Sequence, residues 1–312
     1  MKMMKVGLVN SITRGELDCD DAFLEAALQA RGYETALVFW DSQNQAYDGA
    51  DRCDFYMNRS AFDYHKNIAA FTRWLDDMAQ NERVLLNPVD VIKGNLGKQY
   101  LSELAAKNIT IVASEFIEGD DFQAVQKRIA ARGWTEIVCK PYVGAAGAGL
   151  LRIKTEALTE ADLQAFETEG KYSFLAQDYM SEAADFGELS FVFFGSDLSH
   201  TVLKRPASGD YRVNGAFGAS CALYEPSADI MAQARQMMAR TGLSDHLLYA
   251  RLDCLVRAGT LYLSELELNE PWLFFSENPA SCDRFIDRME EMLSLQNLKP
   301  QTQISTQQGS AA

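Results

Sequence analysis

Short apolar runs alternate with helical patterns over the first ninety residues. The runs predicted to form buried strands are residues 5–9, 35–40, 53–58 and 84–86. Apolar residues recur at helical spacing over 68–78, and Asp20 or Asp21 is predicted to cap a helix that runs through Ala30. This alternation predicts a parallel sheet covered by helices, with ligands bound at the carboxyl ends of its strands.

The pattern changes along the rest of the chain. After a predicted helix around residues 100–105, a strand at 109–112 and a helix ending near Gly133, strands are predicted at 137–140 and 150–153. The strands that follow come in close succession, which predicts a mainly antiparallel sheet; they are residues 175–179, 189–194, 201–204, 249–256 and 261–268. Helices are predicted at 228–240 and 282–293, and the polar tail from Lys299 is predicted to be disordered.

Charge and cysteine content exclude several classes of protein. The 312 residues hold 29 Lys and Arg against 44 Asp and Glu, a net charge of −15, and no basic block, which argues against a nucleic-acid partner. No apolar run approaches the length of a membrane span. We therefore expect no membrane association. The six cysteines contain no C-x-x-C pair, so we expect free thiols and a cytoplasmic protein.

A glycine-rich segment follows Lys140. Residues 140–149 read Lys-Pro-Tyr-Val-Gly-Ala-Ala-Gly-Ala-Gly, and such small residues allow backbone N–H groups to wrap phosphate oxygens. A strand rather than a helix comes next, so the segment is neither a P-loop nor a dinucleotide-binding fingerprint. It is either a flap over a nucleotide or a plain hairpin turn. Lys140 at the inner end of an apolar strand favours an anion, and Lys98 is a second candidate or else a solvated helix lysine.

Carboxylates concentrate on two strands near the carboxyl end. Because side chains alternate along a strand, Glu265, Glu267 and Asn269 share one face, as do Arg251 and Asp253. If the strands pair as a hairpin, three carboxylates converge, and like charges need a cation. Oxygen ligands alone favour magnesium or manganese. The alternative is a solvated sheet face that carries incidental acids.

Two arginines flank a polar loop. Arg205 and Arg212 lie on either side of a segment of Gly, Ser and Asp, the kind of loop that closes over a substrate. Either arginine is a candidate to hold a carboxylate or a transferring phosphoryl group.

The order of these features resembles the ATP-grasp superfamily. Within it the chain is most similar to the glutathione-synthetase/RimK-like branch, and more narrowly to the O-ureido-serine cyclo-ligase type of cycloserine biosynthesis. The segments that carry the narrower resemblance are residues 59–65, 86–88, 187–195, 198–206 and 265–271.

The resemblance implies an α+β ATP-grasp fold, two α+β subdomains that clamp ATP, preceded by an α/β Rossmann-like domain. The implied segments are an N-terminal substrate domain at 1–92, a central subdomain with the flap at 93–180, a C-terminal subdomain with the metal site at 181–298, and the tail at 299–312.

The resemblance also implies roles for individual residues. Arg212 and Arg205 would be catalytic. ATP would be bound by Lys98, Lys140, Gly144, Gly147, Gly149 and the hinge residues Gln177, Asp178 and Tyr179. Two magnesium ions, or manganese, would be bound by Asp253, Glu265 and Glu267, or in a shifted register by Glu267 and Asn269, where the family often has Asn. Candidate substrate residues are Arg59, Tyr64, His65 and Glu270.

The implied activity is that of an ATP-dependent carboxylate–amine ligase that forms an amide-type bond through an acyl phosphate, between two molecules or by ring closure. The alternatives are an ATP-grasp kinase and a nucleotide-binding regulatory protein without chemistry. The expected partners are a small carboxylate and an amine, and the branch implies a homodimer.

Overall fold

Three β-sheets organise the chain in the computed structural model, which describes residues 3–13, 15–42, 52–145, 147–213 and 217–295. Their strands lie within residues 5–86, 114–178 and 188–267. The predicted segment boundaries at 92, 180 and 298 remain predictions, and the tail predicted to be disordered lies outside the described residues. No helix in the described part is long and apolar enough to cross a membrane.

The N-terminal sheet is parallel, as the alternating pattern predicted. Its strands follow the order β2-β1-β3-β4 and are β1 (Lys5–Asn10), β2 (Glu34–Phe39), β3 (Phe55–Ser60) and β4 (Leu85–Leu86). Its helices are α1 (Cys19–Ala30) and α2 (Ile68–Gln80). The predicted helix caps are wrong: the Asp18 carboxylate accepts the N–H groups of Asp20 and Asp21, whose own side chains are buried.

The central sheet follows two short helices and is antiparallel. Its strands follow the order β5-β9-β6-β7, with β8 paired to β9. The elements are α3 (Val89–Asn95), α4 (Tyr100–Ala106), β5 (Ser114–Asp120), α5 (Phe122–Arg132), β6 (Glu136–Lys140), β7 (Leu151–Lys154), β8 (Glu167–Thr168) and β9 (Lys171–Asp178).

Strand β5 was missed, and the strand predicted at 109–112 is only a single bridge from Ile111 to Leu263. The pattern of β5 is hidden because Glu115 is a buried charge on it, held by Arg128 and Arg132 of α5.

The C-terminal sheet is antiparallel, in the order β12-β11-β10-β13-β14. Its elements are α6 (Glu182–Asp185), β10 (Glu188–Phe194), β11 (Asp197–Arg205), β12 (Ser220–Leu223), α7 (Ala228–Thr241), β13 (Ala250–Arg257), β14 (Thr260–Glu267) and α8 (Ser281–Leu295). Strands β13 and β14 form the predicted hairpin.

The N-terminal and C-terminal sheets share one hydrophobic core. Leu8 of β1 and Leu24 of α1 belong to the same buried cluster as Val192 of β10 and Phe285 of α8. On the surface of this junction Arg31 follows α1 and binds Asp287 and Glu290 of α8, at 2.7 and 3.1 Å. The last helix therefore packs against the first.

Arg59 is part of this buried structure and not of a substrate site. Its side chain is 1 % exposed, its Nε donates to Asp21 at 2.8 Å, and its Nη2 donates to the Pro271 carbonyl at 3.0 Å. Burial lowers and the Asp20 and Asp21 carboxylates raise the pKa of Arg59, and the carboxylates prevail. The prediction that Arg59 contacts substrate is wrong, because the side chain is enclosed by protein. The sequence concealed this, because the partner Asp21 lies 38 residues away along the chain.

Arg59→Ala should lower the free energy of unfolding by about 3–5 kcal/mol, because it removes the only cation that pairs with the buried Asp21 carboxylate among the described residues. Lys93→Ala is the matched control: it breaks an ion pair to Asp76 that is more than a third exposed on both sides, and should cost at most about 1 kcal/mol. Urea unfolding measures both changes. Equal losses in the two variants would contradict the assignment of Arg59 to the buried junction.

Candidate active site

One large cavity, of about 540 Å³, is lined from all three parts of the chain. Phe62 and Tyr64 follow the carboxyl end of β3, where the parallel sheet was expected to bind ligands. The central sheet contributes Lys140 and the glycine-rich loop after it. The C-terminal sheet contributes its charged face.

The β13–β14 hairpin places the predicted carboxylates opposite one another. Asp253 pairs with Glu265 and Arg251 with Glu267 in the antiparallel register. All four side chains line the cavity. The predicted convergence of three carboxylates on one face is therefore present in the structure.

Basic side chains neutralise Asp253. Arg251 donates to both of its oxygens, at 3.0 and 2.8 Å, Lys204 lies 3.0 Å away, and Ser190 donates at 2.5 Å. Burial alone would raise the pKa of Asp253, but Arg251 and Lys204 outweigh it and hold that pKa below its ordinary value. The carboxylate is therefore ionised at neutral pH.

The neighbouring acids are less fully compensated. Arg251 also bonds Glu267, yet burial prevails and raises the pKa of Glu267 to about 8. Glu188 of β10 binds Lys204 at 2.5 Å, and burial raises its pKa as well. These carboxylates compete for the same two cations, so an added positive charge in the cavity would stabilise their ionised forms.

Both predicted lysines line the cavity. Lys98, which lies just before α4, is 2.8 Å from Glu265, and Lys140 at the end of β6 donates to Ser264 at 3.2 Å. Burial lowers the pKa of Lys140, although Glu265 opposes the shift. Two ammonium groups beside the hairpin make a local cationic region inside an acidic protein.

The glycine-rich loop forms an adjoining wall. Gly144 and Gly147 line the cavity, and the Lys98 N–H donates to the Tyr142 carbonyl at 3.0 Å, which ties the loop to the start of α4. Gly147 and Gly149 have φ values of 72° and 73°, a conformation that favours glycine. Gly149 itself lies against Pro141 and is not part of the cavity wall.

The three predicted hinge residues lie outside that wall. Gln177 is buried and donates to Ser114 at 3.1 Å, and the Tyr179 ring lies 3.7 Å from the Arg152 guanidinium. The N–H groups of Asp178 and Tyr179 already donate to the Ala113 and Glu136 carbonyls. Of their backbone groups, only the carbonyls would therefore be available to an adenine, as acceptors of a hydrogen bond.

The two predicted arginines are placed differently. Arg212 lines the cavity and is held by Asp210. Arg205 is exposed and lies outside the cavity, because it ends β11 with its side chain on the face opposite Lys204. Lys204 therefore takes the position in the cavity that the sequence analysis gave to Arg205.

The predicted substrate residues are also divided. Tyr64 and Glu270 line the cavity, and burial raises the pKa of both well above ordinary values. His65 does not line it; its Nδ1 lies 3.0 Å from the Phe62 carbonyl, and burial lowers its pKa. Arg59, as described, is buried elsewhere.

Sequence reasoning missed two charged residues of the site, Glu188 and Lys204. It also missed that Arg251 bridges two carboxylates. Each pairs across strands, Glu188 with Lys204 by register on β10 and β11. Alternation along β11 was the available signal, since it separates Lys204 from Arg205.

The chemistry of the donor set fits a magnesium ion. Asp253, Glu265 and Glu267 offer oxygen ligands from two paired strands, and all three line the cavity. Within the described ranges, however, no group of three His, Cys, Asp or Glu side chains is arranged as a finished metal site. An ion bound there would compete with Lys98 and Arg251 for the same oxygens.

Comparison with protein-family models gives two matches. Residues 6–87 match the N-terminal domain of D-cycloserine synthetase DcsG. Residues 100–268, more than half of the chain, match the ATP-grasp domain of prokaryotic glutathione synthetase. The chain belongs to the ATP-grasp ligases of this type. The resemblance deduced from the sequence, and with it the ATP- and magnesium-dependent enzyme class, is confirmed.

Solved structures show the same ATP-grasp fold. D-cycloserine synthetase DcsG superimposes with a TM-score of 0.80 at 22 % identity, over 93 % of this chain and 99 % of that one. D-alanine–D-alanine ligase from Bacillus anthracis gives 0.65 at 13 % identity, over 95 % and 98 %. The ATP-grasp ligase PsnB with a minimal precursor gives 0.61 at 16 %, over 92 % and 100 %. No match to a curated protein sequence was found.

The adjacent residues Lys204 and Arg205 provide a test of the cavity. Lys204→Gln should lower the free energy of unfolding by about 3–5 kcal/mol, because Glu188 and Asp253 lose a buried cation. Arg205→Gln should change it by no more than about 0.5 kcal/mol, because that side chain is exposed. Urea unfolding of both variants measures the difference. A larger loss for Arg205→Gln would contradict the placement of these residues.

Proposed function

We propose that this ATP-grasp enzyme joins a carboxylate to an amine, within one molecule or between two, on an amino acid or a small peptide-like substrate. The observation that carries the proposal is the meeting of Lys98, Lys140 and the Asp253–Glu265–Glu267 carboxylates in one cavity beside a glycine-rich loop. Cations, a loop of small residues and oxygen ligands are the parts that phosphoryl transfer needs.

The proposed chemistry has two steps. A substrate carboxylate oxygen attacks the γ-phosphorus of ATP, and the bond between that phosphorus and the β–γ bridging oxygen breaks. ADP is the leaving group, and the substrate becomes an acyl phosphate. The amine nitrogen then attacks the acyl carbon, the C–O bond to phosphate breaks, and the amine loses a proton as the amide forms. No side-chain nucleophile is needed, in keeping with a cavity wall rich in charges.

The residues of this chain would act mainly by position and charge. Lys98 and Lys140 would neutralise the phosphate oxygens, and Arg212 would offset the charge that develops on the transferred group. Asp253, Glu265 and Glu267 would hold magnesium, which lowers the charge on the phosphates when bound. Gly144 and Gly147 would bring backbone N–H groups close to the phosphates.

The proposed metal site has room for further ligands. Three carboxylates with a fourth, Glu270, close by on the same segment are enough acidic ligands for two ions, and manganese is an acceptable substitute for magnesium. Asn269, 3 % exposed, lies on the same wall and would bind the metal if the ligands follow the shifted register.

Gln177, Asp178 and Tyr179 would adjoin adenine. We also propose a cytoplasmic location, because the described cysteines form no disulfide, and a homodimer.

A screen of ADP release over amino acids, singly and in pairs, should identify the substrates, with mass spectrometry for loss of water from the product. Turnover with one compound indicates ring closure, and a required pair indicates ligation. A stable phosphorylated product would instead make the enzyme a kinase. ATP binding without any turnover across the panel would contradict the ligase proposal.

Glu265→Gln should lower ADP release by about a hundredfold or more, because it removes a metal ligand and the partner of Lys98. Removal of magnesium with EDTA should abolish activity in the unaltered enzyme. The matched control is Glu103→Gln, an exposed position on α4, which should keep full turnover. Near-normal activity of a folded Glu265→Gln variant would rule out the metal assignment.

A further inference from the structure

Arg212 is held in the cavity wall by residues of its own loop. Its side chain is 31 % exposed, and its only hydrogen bonds within the described ranges run to Asp210. An arginine on a surface loop ordinarily samples many rotamers, so a fixed one requires partners that restrict it.

Asp210 restricts both the backbone and the side chain of Arg212. One carboxylate oxygen accepts the N–H groups of Tyr211 and Arg212, at 2.7 and 2.9 Å. The guanidinium donates through Nε to that oxygen at 3.0 Å and through Nη2 to the other at 2.7 Å. The hydrogen bonds from Arg212 hold the pKa of Asp210 below its ordinary value, so the carboxylate stays charged.

Among the described residues, this pairing leaves the Nη1–Nη2 edge of the guanidinium without a partner. A guanidinium has five N–H donors, and Asp210 takes one from Nε and one from Nη2. Two of the three donors that remain, one on each Nη, point along the Nη1–Nη2 edge and form a fork suited to two oxygens of a phosphoryl or carboxylate group. The carboxylate thus selects which edge of Arg212 is offered to a ligand.

Phe217 fixes the plane of the same group. Its ring centre lies 3.5 Å from the guanidinium carbon of Arg212, a stacked cation–π contact. The ring also adjoins the glycine-rich loop, since a methyl group at Gly147 would lie only 3.1 Å from Phe217 Cε2. Phe217 therefore contacts both Arg212 and the loop proposed to bind phosphate.

We propose that Asp210 and Phe217 are positioning residues that orient the Nη1–Nη2 edge of Arg212 toward the transferring phosphoryl group. This inference rests on the proposed function. Asp210 sets the edge and Phe217 sets the plane, so the cation is in place before charge develops and needs little reorganisation during transfer. The contact of Phe217 with Gly147 ties that placement to the position of the phosphate-binding loop.

The first test compares turnover. With the substrate found in the ADP-release screen, Asp210→Asn and Phe217→Leu should each lower kcat about tenfold or more, with the KM for ATP within about twofold. Phe217→Tyr keeps the ring and should restore most of the rate, and Asp210→Glu should recover part of it. Asp229→Asn, exposed at the start of α7, is the matched control and should be unchanged.

The second test needs no substrate. In ¹⁵N NMR of the arginine Nε–Hε groups, the Arg212 signal, assigned with Arg212→Lys, should show slow exchange in the unaltered protein. In Asp210→Asn it should move to the position of exposed arginines. An unmoved signal, or normal kcat in Asp210→Asn and Phe217→Leu while Arg212→Ala is impaired, would overturn the inference. A normal rate in Arg212→Ala would instead overturn the catalytic role given to Arg212 in the proposed function, and the NMR signal alone would then decide the positioning.

Discussion

Compensation of buried charge is the constraint on which this molecule depends. The cavity-facing side of the C-terminal sheet carries Glu188, Asp253, Glu265 and Glu267, and such carboxylates are tolerated away from water only beside cations. Lys204 and Arg251 supply them by serving two acids each. The register of four adjacent strands is therefore an electrostatic requirement as well as a packing one, since a slip of one residue would separate Glu188 from Lys204 and Arg251 from Glu267.

Buried polar side chains also attach the N-terminal sheet to the C-terminal one. The segment after β14 is bound by Arg59 through the Pro271 carbonyl and by Asp20 through the N–H groups of Leu273 and Ser276. Asn87 connects the end of β4 to the backbone of Leu268 and Tyr249. Buried polar groups thus satisfy the backbone at the junction, and they fix where Tyr64 meets the carboxylate-bearing face of the C-terminal sheet.

Local patterns predicted much of the fold and the centre of the site. Alternation along 251–267 predicted that Asp253, Glu265 and Glu267 converge if the two strands pair as a hairpin, and the run of small residues after Lys140 located the loop beside them. What the sequence concealed was non-local. Arg59 looked like an exposed recognition residue because Asp21 is remote along the chain, and β5 lacked a strand pattern because Glu115 is buried by two arginines of α5. A charged residue in the sequence does not show which oppositely charged residue will be buried beside it.

The packing of α8 against α1 has a consequence for synthesis of the chain. Because Leu8 and Leu24 are buried in one core with Phe285 and Ile286, the first sheet cannot complete its interior from its own ninety residues. During translation that surface stays without this cover until α8 leaves the ribosome. The segment that looks like an independent domain in the sequence is, as a folding unit, completed by residues that are made nearly two hundred positions later.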